Sequence, residues 1–165
     1  MKPGFYLPCG AIACIVLLAG CQTPESSSAS RQASSDHRIP VPLIPRMAEH
    51  QRENMRDHLL AVREIIAGVS SGDYAGVERS ANRIGYSEQM GQMCERMGAG
   101  APGFNEMALQ FHHTADTIAA AARTHDSAAT LKALSATLET CVSSHAAYRQ
   151  EIVSQKEWDR RVRKL

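Results

Sequence analysis

Aromatic residues are scarce in this chain of 165 residues, with three Phe, four Tyr and one Trp. β-Branched residues are thin as well, and no stretch alternates apolar and polar side chains as a half-buried strand does. These shortages argue against sheets. Charge of one sign is also missing. Eighteen Lys and Arg stand against 17 Asp and Glu, so no net field favours nucleic acid or an acidic surface. No nucleophile, base and acid are arranged for covalent catalysis, and no paired carboxylates stand in a meaningful context. Gly98 and Gly100 follow no strand, so they form no dinucleotide fingerprint. The chain reads as a binding protein and not as an enzyme.

What is present begins at the first residues. Lys2 precedes a short apolar run, Ala11 to Leu18, that ends in Leu18-Ala19-Gly20-Cys21. The run is too short to span a bilayer, which needs roughly 20 apolar residues. It fits the core of an export signal. Its end resembles the bacterial lipobox, in which small residues admit the backbone to a peptidase and the thiol takes a diacylglyceryl group. The resemblance implies a signal at 1–20, lipidation at Cys21 and a membrane anchor of several acyl chains. Gln22, standing where Asp marks inner-membrane retention, implies an outer-membrane lipoprotein facing the periplasm. Loss of Lys2 with the signal brings the formal charge from +1 to zero.

Residues 21–45 then read as the lipidated cysteine and a disordered tether, Ser-rich at first and stiffened by Pro40, Pro42 and Pro45. Four helical stretches follow in a domain spanning 46–165. The first covers about 46–69, with Met47, Met55, Leu59, Val62, Ile66 and Val69 as its inward face, and Gly72 as its stop. Asp73 caps a second that carries Val77, Ala81 and Ile84, weakens near Gly85 and continues to about 93. Residues 94–103 read as a loop. The third covers about 104–123. Asp126 caps the fourth, whose face is Leu131, Leu134, Leu138, Cys141 with Val142, His145, Tyr148 and Ile152. The charged residues 155–165 extend it into solvent. Helices of this length joined by short loops pack as an all-α, antiparallel up-down-up-down four-helix bundle.

The segment that carries chemistry is Cys141-Val-Ser-Ser144-His145-Ala-Ala-Tyr148-Arg149. A c-type haem site reads C-x-x-C-H, with two thiols for the haem vinyl groups and an adjacent imidazole for the iron. Here Ser144 replaces the second cysteine. Together with the helical frame, the Gly72-Asp73-Tyr74 turn and the Leu131-Lys-Ala-Leu134 run, the segment resembles the cytochrome c prime family over roughly residues 46–152. The resemblance implies haem held between helices, His145 as proximal iron ligand and electron transfer or gas-ligand binding. Cys141, His145, Tyr148 and Arg149 match the family motif, and with Ser144 present at most one thioether forms, at Cys141. In low-spin relatives a Met of the first helix binds the iron as well, which points to Met55, with Met47 second. Phe104, Phe111 and the Met residues are available to fill such a pocket if haem has been lost.

Other polar groups stay open. His50, His58, His112 and His113 could make a Zn or Cu site, and Cys141 with His145 lies at helical spacing for a soft metal. One of His112 and His113 must face away from the core. Cys9 and Cys14 leave with the signal, so Cys94 and Cys141 are the cysteines left to pair. The alternative reading is a haem-free envelope interaction module, with Trp158 in the charged tail as a contact anchor or as a cover for the end of the bundle. The partners expected are the membrane, a redox or envelope protein, and a second copy of the chain as homodimer.

Overall fold

Pro45 opens the first helix in the position where a missing N–H costs nothing. In the computed structural model, which describes residues 36–163, this helix, α1, runs Pro45–Ser71. It stops at Gly72, whose φ of 76° is left-handed and favours glycine. Asp73 accepts from the Gly76 N–H and starts α2, Tyr74–Ile84. Helices α3 (Glu88–Gly98), α4 (Phe104–Ala122), α5 (Ser127–Ala147) and α6 (Gln155–Val162) complete the six among the described residues. The protein is mostly helical, as expected. No described helix is long and apolar enough to cross a membrane. The signal, Cys21 and most of the tether lie outside the described residues.

Four expectations need correction. First, a sheet is present: β1, Ile39–Leu43, pairs in parallel with β2, Tyr148–Ile152, in register from Ile39 opposite Tyr148 to Leu43 opposite Ile152. Pro40 and Pro42 share one parity, so their missing N–H groups fall on the free edge. Leu43 carries the other parity, and its carbonyl accepts from Val153 N at 2.9 Å. The tether therefore gives way to folded chain before residue 45, because Val41, Leu43 and Ile44 are buried. Second, the expected second helix is two. Gly85 is extended between them, and a Cβ there would sit 2.2 Å from Asp116 Oδ1. Asp116 also accepts from Tyr86 N, and Ser87 caps α3. Helix α3 runs on to Gly98, so Cys94 is helical and not in a loop.

Third, α1 turns only part of the expected face inward. Val62 is buried and Val69 packs on the core as expected, with Ala48, Ala61, Ile65 and Gly68 buried beside them, while Leu59 is 70% exposed and Ile66 faces outward. The reason is close approach. A Cβ on Gly68 would stand 2.7 Å from the Val77 side chain, so small residues line the contact with α2 and the larger ones are displaced. Leu131, Leu138, Val142 and Ile152, expected on the inward face of the fourth helix, are exposed. Fourth, the C-terminal residues do not continue α5. The chain turns extended at Tyr148, forms β2, and restarts as α6 under a Ser154 cap. Trp158 is half-buried on α6, which favours the cover over the anchor.

Helices α1, α2, α4 and α5 pack in sequence around one core, with Ile65, Val77, Ile84, Phe111, Ile118 and Leu134 at its centre. A second cluster joins the sheet to the ends of α3 and α4 through Val41, Leu43, Met97, Phe104 and Tyr148. Between the two clusters lies the cavity described next.

Candidate functional site

The last two turns of α5 place Cys141, Ser144 and His145 along one edge, since residues three and four apart share a helical face. The helix then ends, and Tyr148 and Arg149 follow on β2. All five line a cavity of about 540 Å³, within the range of roughly 300–1,000 Å³ usual for small-molecule and cofactor sites. Helix α1 contributes Gln51, Met55 and His58 to the wall, α4 contributes Phe104, Phe111 and His112, and the N-terminal segment Asp36 and Arg38. The expected site residues Cys141, His145, Met55 and Arg149 thus meet in one place. Met47 does not join them and packs with the β1 cluster. Phe104 and Phe111 form walls without closing the space.

Two guanidinium groups share the mouth. Arg38 donates to Asp36 through Nε at 2.9 Å and Nη2 at 2.8 Å, and through Nη1 to the His145 carbonyl at 3.3 Å. Arg149 Nε stands 3.7 Å from Asp36 Oδ2, an ion-pair distance, and is buried without a hydrogen-bond partner. The hydrogen bonds from Arg38 hold the Asp36 carboxyl down to about 2.

The inner wall is built from imidazoles. His112, 3% exposed, donates Nδ1–H to the Ile84 carbonyl at 2.8 Å, so its Nε2 keeps a bare lone pair. His58 stacks on Phe111 with ring centroids 4.5 Å apart and meets His112 edge-on at 5.7 Å. Burial, then the neighbouring His112, push His58 down to about 4. Burial lowers His112 too, against the opposing pull of the Ile84 carbonyl. Burial raises the thiol of Cys141, and that of Cys94, so both are protonated and weakly nucleophilic at neutral pH.

The remaining expectations divide. His112 is buried and His113 exposed, as the paired positions require. His113 stacks on Tyr86 at 4.6 Å, and His50 lies 3.5 Å from Asn54, so the four histidines do not gather. Among the described residues no three His, Cys, Asp or Glu form a metal-holding group. Cys94 and Cys141 are free thiols. Sequence reasoning missed Asp36, Arg38 and Gln51 as wall residues. The first two fall in the segment taken for tether.

The buried imidazoles make stability depend on pH. The unfolded chain binds protons at about 6.5, whereas folded His58 does so only near 4. Their stabilising contribution is therefore complete above pH 6.5 and lost as pH falls toward 4. For His58 the loss is about 3 kcal/mol. Asp57 on α1, and Asp116 and His113 on α4, modulate the two rings. Urea unfolding at pH 7 and pH 4.5 should show a clear drop in midpoint, and His58→Phe should flatten it. A midpoint unchanged between these pH values in the native chain would contradict the burial of these rings.

No family model matches this chain, and comparison with curated proteins and with solved structures returns no match either. The site defines the class: a helical protein with a cavity that carries two guanidinium groups, three imidazoles and one thiol on its wall.

Proposed function

We propose that the chain is a cytochrome c prime-like haem-binding protein for electron transfer or small gas-ligand binding, held at the outer membrane through lipidated Cys21. In this reading α1, α2, α4 and α5 are the antiparallel up-down-up-down bundle, and α3, α6 and the sheet are additions to it. The observation that supports it most is the convergence of Cys141, Ser144, His145 and Arg149 with Met55 on one cavity.

Bound haem would supply an iron centre that changes oxidation state or takes a diatomic ligand. His145 offers its ring nitrogen to that iron. Cys141 offers the one thiol suited to a thioether, while Ser144 beside it offers a hydroxyl, which does not add to a vinyl group. Arg149 and Arg38 present guanidinium forks suited to two carboxylates, a pairing that Asp36 now occupies. Met55 is available as a second iron ligand. Phe104 and Phe111 offer apolar wall to the porphyrin. A redox protein of the envelope, or a second copy of the chain, would meet it from outside. A haem-free interaction module is the second reading, and Leu59 and Ile66, outward on α1, favour it.

Purified protein mixed with ferric haem should develop a Soret band at one equivalent. Absence of the band there, and in protein made with c-type maturation factors, would overturn the haem reading. The variant Ser144→Cys goes further. Residues 141 and 144 both line the cavity, so a thiol at 144 restores the second attachment point without new bulk. Coexpressed with maturation factors, it should carry more haem that survives acid and organic extraction than the native chain does. A folded but colourless variant would count against the pocket.

A further inference from the structure

We infer that His58, and not Met55, is the side chain that would hold the iron of a haem in this cavity together with His145, a conclusion that rests on the haem reading above. The cavity holds three Lewis bases outside the α5 motif: Met55, His58 and His112. Met55 is 40% exposed, and its unbranched thioether turns about three bonds, so its own chain does not fix the sulfur. His112 is pinned at the deep end by its bond to the Ile84 carbonyl, which commits one nitrogen and fixes the ring.

His58 differs from both. It lies one turn beyond Met55 on α1, on the same wall. Its ring plane is set by the stack on Phe111 and by the edge of His112. Among the described residues no hydrogen bond to either of its nitrogens is present, although the ring is half-buried. Neither ring nitrogen is fully buried, and the ring lines the cavity, where an occupant can reach it. Imidazole also suits iron. The neighbouring His112 meets the ring edge-on, a ring contact and not a hydrogen bond.

The test uses purified protein and ferric haem. The native complex should be low-spin by visible absorption, and its near-infrared magnetic circular dichroism should carry the bis-imidazole signature rather than the imidazole–thioether one. His58→Ala should still bind haem, roughly tenfold more weakly, and should turn high-spin. Free imidazole should restore its low-spin spectrum. Met55→Leu should remain low-spin. His58→Gln, closer in size, provides the same comparison if the alanine variant loses helical circular dichroism. A native complex that is high-spin or carries the thioether signature would overturn the assignment, as would a low-spin His58→Ala, while leaving the haem reading standing. No haem uptake by the native protein would overturn both.

Discussion

Replacing His145 by alanine should leave the fold intact and weaken haem binding by roughly a hundredfold. His145 is exposed in the last turn of α5, and a substitution at such a position typically moves stability by no more than about 0.5 kcal/mol. The Arg38 bond at this position goes to the backbone carbonyl and survives the change. Groups that merely orient a metal ligand contribute about 10–100-fold to affinity, so loss of the ligand itself belongs at the upper end. Absorbance titration with haem measures the effect, with thermal unfolding as the control. Cys141→Ser, which keeps the size of the side chain, should barely change this non-covalent affinity. Equal affinity for the native and His145→Ala proteins would remove His145 from the site.

Leu43→Ala should cost about 2–5 kcal/mol, a large share of the roughly 5–15 kcal/mol that holds a domain folded. Leu43 is fully buried on β1, inside the cluster that also contains Met97, Phe104 and Tyr148. Helices α1, α3 and α6 pack on this strand, so the lost side chain leaves a void that neighbours fill only in part. The loss reaches the site as well. Strand β1 holds β2 in register, and β2 carries Tyr148 and Arg149 into the cavity wall. Tyr148 also donates to the Pro102 carbonyl at 2.9 Å. Weaker haem uptake should therefore accompany the lower urea midpoint. A change below about 0.5 kcal/mol, the usual size at a surface position, would mean that residues 36–44 contribute nothing to the fold.

Local signals in the sequence settled much of the helical frame. Asp73 and Asp126 cap the helices they precede, Gly72 terminates α1, and α4 begins at Phe104 as its pattern requires. Each of these depends on a side chain and a backbone group within about one turn, so the identity of neighbouring residues is enough. The spacing of Cys141, Ser144 and His145 along one helix edge is equally local.

Tertiary structure decided the rest. A Pro-rich segment with few residues to bury looks like tether until β2, more than a hundred positions later, supplies the partner strand. Parallel pairing needs that distant closure and leaves no local trace. The inward face of α1 was likewise chosen by how closely α2 approaches Gly68. Periodicity along one helix shows that a stripe exists but does not fix its angle. His58 and His112 have the same standing: one sequence contains seven histidines, and only the packing of α1 and α4 on α2 puts these two in one cavity. Helix boundaries are set by bonds within a turn, whereas a site is set by which helix faces meet, and that is a property of the assembled chain.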